Sequence, residues 1–296
     1  MSELSQRVQE WHQAGNTFNF QNQQIFYLDN AAQDKPVLVL LHGFPTSSFD
    51  WIDVWSALDS QYRLIAMDFL GFGLSDKPRQ HTYTIAEQTN IQEALLQKLA
   101  IKKYHVLAHD YGTTVAQELL ARHQEKALQG QLLSVTFLNG GILPDWHRPR
   151  LIQKLLLTPI GWLLSRLLSQ RTFNKSFAAV FAEQTQPTQQ QLEDFWSLIC
   201  YKGGHRIAHR LMNYVPERKQ FKKRWVGAMK TSLPIKVING LEDPVSGRHM
   251  MDVCRKQFPE LDMTLLEDVG HYPQTEAPQA VLSAFQTFMQ KTGVEG

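Results

Sequence analysis

Short apolar runs recur in the first half of the chain and again near its end. Val37-Leu38-Val39-Leu40-Leu41 and Val106-Leu107-Ala108 are continuous enough to predict strands buried on both faces, as in a parallel sheet. Pro234-Ile235-Lys236-Val237-Ile238 and Met263-Thr264-Leu265-Leu266 repeat the pattern towards the C-terminus. Residues 18–22 and 24–28 read as a short antiparallel edge pair. Between the strands the apolar period lengthens to three or four. Trp51, Val54, Trp55 and Leu58 share one helix face, as do Val115, Leu119 and Leu120, and later Val281, Phe285, Phe288 and Met289. Thr84, with Glu87 three residues on, predicts a capping box that opens a further helix. Strands alternating with helices predict an α/β fold, a mostly parallel twisted sheet flanked by helices.

The rhythm stops between Gly141 and about residue 230, where only helical patterns occur, over 151–157, 161–168, 189–201, 206–214 and 219–230. An all-helical insertion between two strands of a sheet predicts a lid over a site. The division is therefore a core of residues 1–142 and 231–296 and a helical cap of residues 143–230. Residues 145–230 carry 15 Lys and Arg against 5 Asp and Glu, a net charge of +10 that leaves −8 for the rest of the chain. That asymmetry suits a solvated helical face, an acidic substrate or peripheral contact with an anionic membrane. Leu155-Leu156-Leu157-Thr158-Pro159-Ile160-Gly161-Trp162-Leu163-Leu164 is unusually apolar for a lid. The favoured reading is a pocket wall, with an element dipping into lipid as the alternative.

The strand at 106–108 ends in Ala108-His109-Asp110-Tyr111-Gly112, a small-x-acid-x-small turn. A strand that reverses sharply into a helix admits only small residues two places either side of a nucleophile. Asp110 occupies the central place, where Ser is usual. A carboxylate is already ionised at neutral pH, so it suits displacement at saturated carbon, with an ester of its own side chain as the product. A base and an acid to orient it should follow in the order nucleophile, acid, His. Asp243, in Gly240-Leu241-Glu242-Asp243-Pro244, and His271, in Val269-Gly270-His271-Tyr272-Pro273, lie just beyond two later strand ends. Glu242 is the competing acid, and Asp243 sits better against the turn. The Phe44 amide in His42-Gly43-Phe44-Pro45 and the Tyr111 amide at the elbow are the expected oxyanion donors. His42 and His109 flank the two turns, and fixing them by hydrogen bonds is the expected role.

These motifs resemble those of α/β-hydrolases of the epoxide hydrolase and haloalkane dehalogenase branch, and the chain is most similar to the mesoderm-specific transcript family. His42-Gly43-Phe44-Pro45-Thr46-Ser47-Ser48, Asp68-Phe69-Leu70-Gly71-Phe72-Gly73-Leu74-Ser75-Asp76-Lys77-Pro78 and His109-Asp110-Tyr111-Gly112 carry the resemblance. So do Asn139-Gly140-Gly141-Ile142, Arg224-Trp225-Val226-Gly227-Ala228 and His271-Tyr272-Pro273-Gln274. It implies the α/β-hydrolase fold with a helical cap, Asp110 as nucleophile, Asp243 as acid and His271 as base.

The leaving group separates the two chemistries of that branch. Its dehalogenases hold halide with an Asn after the His-Gly and a Trp after the nucleophile, and here those places are Phe44 and Tyr111. Its epoxide hydrolases use two cap tyrosines. Tyr214 resembles one of them, and the other aligns with Trp196, a much weaker acid. The expected activity is hydrolysis of a small, mostly apolar epoxide through an alkyl-enzyme ester, with Tyr214 and Trp196 at the leaving group. The alternatives are a haloalkane dehalogenase using Trp196, and a hydrolase-fold protein that binds membranes or partners without catalysis.

A formal charge of +2 gives no nucleic-acid footprint. Cys200 and Cys254 make no disulfide framework and suit a reducing compartment, and no Cys/His cluster has metal-ligand spacing, so no metal or other cofactor is expected. The polar start of the chain and the lack of a run near ~20 apolar residues lead to a cytoplasmic expectation.

Overall fold

The computed structural model describes residues 4–293; the first residues of the polar start, 1–3, and residues 294–296 lie outside. Helix α1 (Gln6–Ala14) leads into β1 (Asn16–Phe20) and β2 (Gln23–Asp29), then β3 (Val37–Leu41), α2 (Ile52–Asp59), β4 (Arg63–Met67) and α3 (Ile85–Lys98). The elbow joins β5 (Lys103–Ala108) to α4 (Tyr111–Gln124), and β6 (Gln131–Phe137) follows. The eight strands form one sheet in the order β1-β2-β4-β3-β5-β6-β7-β8, counting β7 (Ile235–Gly240) and β8 (Asp262–Leu266). The pairs β1–β2 and β2–β4 are antiparallel, and all others are parallel.

Alternate residues of the central strands face opposite layers, as the two-residue strand period requires. Leu38, Leu40, Leu64 and Leu107 pack with Trp51, Val54 and Leu58, and with Val281 and Phe285 of α14 (Pro278–Thr292). Val39, Leu41, Ile65 and Val106 pack on the other face with Ile91, Leu95, Val115 and Leu119. Thr84 caps α3 by accepting from the Glu87 amide at 3.2 Å. The Glu87 carboxylate turns instead to His81, at 2.8 Å, so only half of the expected box forms.

Helices α5 (Leu151–Leu156), α6 (Gly161–Arg166), α7 (Gln170–Ala178), α8 (Gln189–Cys200), α9 (Ala208–Leu211), α10 (Tyr214–Gln220) and α11 (Lys222–Ala228) lie between β6 and β7. Three differ from the sequence pattern. The α7 helix was hidden in a polar stretch, where only Phe173 and Phe177, one turn apart, are buried. Where a single helix is expected over 206–214, a 3-10 segment, Tyr201–Ile207, kinked by positive φ of 49° and 77° at Lys202 and Gly203, runs into a short α9. The helix expected over 219–230 is broken at Phe221. The α7–α8 pair packs on Phe49, Trp11 and Tyr272. Asp194 of α8 ties down α1 through Ser5 Oγ at 2.6 Å and Arg7 Nη1 at 2.8 Å. After β7 come α12 (Arg248–Gln257), β8, and α13 (Pro273–Glu276), which leads into α14.

Candidate active site

Sheet order puts four consecutive strand ends side by side. Asp110 follows β5, Asn139 follows β6, Asp243 follows β7 and His271 follows β8. In open α/β sheets, ligands bind at such carboxyl edges. Leu41 pairs with Ala108 across β3 and β5, so the Phe44 turn and the elbow leave the sheet together.

The elbow is strained at Asp110, which has φ 41° and ψ −101°. A non-glycine residue in that region costs about 1–3 kcal/mol and persists only where its surroundings impose it. Here the Asp110 N–H donates to Asn139 O at 2.7 Å, and the Asp110 carbonyl accepts from Thr113 Oγ1 at 2.6 Å and Arg218 Nη2 at 2.9 Å. Gly112 is required by space, because a Cβ there would lie 2.4 Å from Leu41 O. His42 and His109 fix the turns. His42 Nε2 accepts from the Phe69 amide at 3.0 Å, so its Nδ1–H donates to Gly43 O at 2.8 Å. The His109 ring reaches across at 2.8 Å to the carbonyl of His271 and so ties the elbow to the His271 loop.

The reactive groups converge. The Phe44 amide donates to Asp110 Oδ2 at 3.1 Å. Tyr111 opens α4, so its N–H is one of the first-turn donors that lack an acceptor within the helix. His271 Nε2 is 4.0 Å from Asp110 Oδ2, and His271 Nδ1 is 2.8 Å from Asp243 Oδ2. Asp243 is fully enclosed, whereas Glu242 is exposed. Asn139 Nδ2 at 2.9 Å, Ser246 Oγ at 2.5 Å and the Val245 amide at 2.7 Å hold the Asp243 carboxylate.

Charge within this buried cluster is strongly coupled. Burial disfavours ionised Asp110, but His271, Arg218 and His109 outweigh it and hold the carboxyl well below the usual range. Burial likewise opposes ionised Asp243, yet His271, Ser246 and Asn139 bring it down to about 2. Burial alone would lower the His271 imidazole, and the two carboxylates instead raise it to about 10. The resting site is therefore two carboxylates around one imidazolium.

A cavity of about 100 Å³ stands over Asp110 and His271. Phe44, Tyr272 and Val245 of the core line it, with Ile152, Gln153, Leu156, Phe173 and Phe177 of the helical insertion. Arg150 adds a guanidinium to its wall. The expected leaving-group residues are placed differently. Tyr214 is buried beside the elbow, its ring centroid 5.9 Å from Phe44 and 5.1 Å from Tyr111, and its hydroxyl is 3.5 Å from Gln153 Nε2. Trp196 does not face Asp110. It packs 5.5 Å from Phe173 and lines a separate surface cleft with His205 and Arg206, because it projects from the outer side of α8 while Phe195 turns inward.

Sequence reading missed Arg218. Its guanidinium is fully buried, with Nη2 3.7 Å from Asp110 Oδ1 and Nε 2.7 Å from Thr114 Oγ1, and it stacks 4.6 Å over the Tyr214 ring. Gly141 leaves room for it, since a Cβ there would meet Nη1 at 2.3 Å. In the sequence Arg218 lies in a charged stretch, Glu217-Arg218-Lys219, that reads as a solvated face. The only available signal was the glycine pair of Asn139-Gly140-Gly141. His147 was missed as well; burial, with Arg218 close by, holds it neutral, down to about 3.

The arrangement can perform nucleophilic displacement by a carboxylate followed by base-assisted hydrolysis. Comparison with known proteins agrees with the fold. The alpha/beta hydrolase fold family profile matches residues 36–278. A haloalkane dehalogenase loop variant from Bradyrhizobium elkanii superposes with a TM-score of 0.77, covering 94% of this chain and 96% of that one at 18% identity, a likeness of fold. The putative hydrolase LipZ of Mycobacterium tuberculosis is 37% identical over 281 residues, covering 95% of this chain and 97% of that protein. The mesoderm-specific transcript protein of Mus musculus is 40% identical over 301 residues, covering 97% of this chain and 89% of that protein. The chain belongs to the α/β-hydrolase family, in its mesoderm-specific transcript group.

Proposed function

We propose that this hydrolase opens small, mostly apolar epoxides through an ester of Asp110. The observation that carries the reading is the ionised Asp110 at a strained elbow, with the Phe44 amide on one oxygen and His271 and Arg218 beside it. One carboxylate oxygen attacks a ring carbon as the carbon–oxygen bond of the epoxide breaks. The departing oxygen takes a proton, which we assign to the Tyr214 hydroxyl. Gln153 Nε2 donates to that hydroxyl, so its own proton is free to be given. Burial, together with the Asp110 charge, raises the Tyr214 phenol well above its ordinary range, closer to the basicity of an alkoxide.

Ester formation removes one of the two carboxylate charges that hold a proton on His271. The imidazolium then becomes acidic enough to give up that proton, which restores the Tyr214 hydroxyl, and the neutral imidazole serves as a base. Oriented by Asp243, it draws a proton from water, and the oxygen adds to the ester carbonyl while the Phe44 and Tyr111 amides stabilise the oxyanion, a contribution of about 3–4 kcal/mol for one such donor. Collapse releases the diol, whose oxygen takes the proton held by His271, and the Asp110 carboxyl returns its proton to the imidazole, which restores the resting site. The helical insertion acts as the cap that keeps bulk water from the ester. The dehalogenase reading has no support from Trp196, which lines another cleft.

A single turnover of an epoxide in ¹⁸O-water tests the scheme. The diol should carry an unlabelled new oxygen, and peptide mapping should find the label in Asp110. Label in the first-turnover diol would mean direct attack by water and would end the ester scheme.

A further inference from the structure

Nine large hydrophobic side chains are exposed among the described residues, and all lie in the helical insertion, eight of them between Trp146 and Leu167. Leu151 and Leu155 lie on the outer side of α5, whose Ile152, Gln153 and Leu156 line the cavity over Asp110. Ile160, Trp162, Leu163 and Leu167 continue the surface along α6. The expectation that residues 155–164 form a pocket wall is thus met by Leu156 and not by the exposed majority. An apolar patch of this kind on a soluble domain marks an interaction site.

The charge around the patch has one sign. From Trp146 to Ala182 the chain has six Lys and Arg and neither Asp nor Glu. Beside the patch, Arg79, Arg166, Arg206 and Arg210 converge on a cleft of about 570 Å³ that also contains Trp162 and His209. Among the described residues no carboxylate pairs with any of the four. Arg166 stacks 5.3 Å from the Trp162 ring, which joins the cleft to the apolar surface. Unpaired guanidinium groups are matched by phosphate oxygens, which they bind with two parallel hydrogen bonds.

We propose that this face docks on an anionic phospholipid surface, with α5 and α6 in the headgroup boundary and the arginine cleft holding a lipid phosphate. A second copy of the chain is the poorer occupant, because it would set one insertion, at +10, against another. Docking would bring the α5 side of the cavity to the membrane, so apolar substrate could enter from lipid. The proposal concerns binding alone and stands whether or not the epoxide chemistry holds.

The test is flotation of the full chain with vesicles of phosphatidylcholine alone and of phosphatidylcholine with phosphatidylglycerol. Binding is expected only to the anionic vesicles, and it should fall steeply as salt rises from about 0.1 M to about 1 M. Each cation near such a surface contributes about fivefold, so Arg166→Gln with Arg210→Gln should weaken partitioning about 25-fold. Ile160→Asp with Leu163→Asp should also abolish tight binding, and near-UV circular dichroism checks that both variants fold. Absence from anionic vesicles at low salt would overturn the proposal, as would equal binding to neutral ones. A concentration-dependent dimer lost in Ile160→Asp/Leu163→Asp, without vesicle binding, would assign the face to self-association.

Discussion

Replacing Asp110 by Asn imitates the charge change of esterification without any substrate. His271 Nε2 is 4.0 Å from Asp110 Oδ2, and both side chains are almost fully enclosed. Two unit charges at that distance interact by about 4 kcal/mol at an effective dielectric of about 20. At about 1.4 kcal/mol per pKa unit, losing that attraction moves His271 from about 10 to near 7. A base of that strength works at neutral pH, whereas the resting imidazolium cannot. Stability follows the same change. The folded value lies above the ordinary 6.5, so the contribution of His271 is whole below pH 6.5 and is lost as pH rises to about 10. In Asp110→Asn that loss should already be nearly complete slightly above pH 7. The assay is NMR titration of isotope-labelled imidazoles, with His271 assigned by its absence in His271→Gln. The wild-type signal should stay protonated through pH 8, and the variant signal should titrate near 7. Equal values in the two proteins would refute the coupling and remove the reason His271 waits for the ester.

Tyr214→Phe should slow ring opening by about 10²-fold or more, the usual contribution of a positioned acid, as read from single-turnover rates of ester formation. A rate within a factor of two of wild type would remove Tyr214 from the reaction. Arg218→Met strips donors from Thr114 Oγ1 and from the Asp110 carbonyl, and leaves the Asp110 carboxylate with one cation fewer. Breaking a buried pair in this way costs about 3–5 kcal/mol, and the acid limb of the ester-formation profile should move to higher pH; an unmoved limb would make Arg218 purely structural. Gly112→Ala forces a Cβ to within 2.4 Å of backbone at Leu41, where no side chain can yield. A loss of about 3 kcal/mol, or about 6 °C or more in Tm, is expected by calorimetry.

The sheet, and the edge that gathers Asp110, Asp243 and His271, were legible because both follow from local patterns. Val37–Leu41 is apolar at every position since both of its faces are covered, and the Gly112 place two residues after Asp110 is dictated by backbone clearance. The helical insertion was legible only as a region. Its α7 and α9 obey contacts with other elements more than their own propensities, and Phe221 breaks what reads as one helix. Outward Trp196 and inward Phe195 are adjacent in sequence, and only packing of α8 on Phe49 and Tyr272 decides which of them turns in. Arg218 shows the same limit. A guanidinium reaching from α10 under Gly141 to the elbow is a long-range fit between residues 77 places apart. The exposed apolar surface of α5 and α6 was ambiguous in sequence because one run serves both the cavity and the outside.

Intact-mass spectrometry of His271→Gln after exposure to a panel of small epoxides tests the Asp110 ester most directly. Without its base the protein should still be alkylated but should not turn over. A gain equal to one whole epoxide, mapped to Asp110 by peptide sequencing, is the expected result. Full turnover by His271→Gln, or an adduct on any residue other than Asp110, would contradict it.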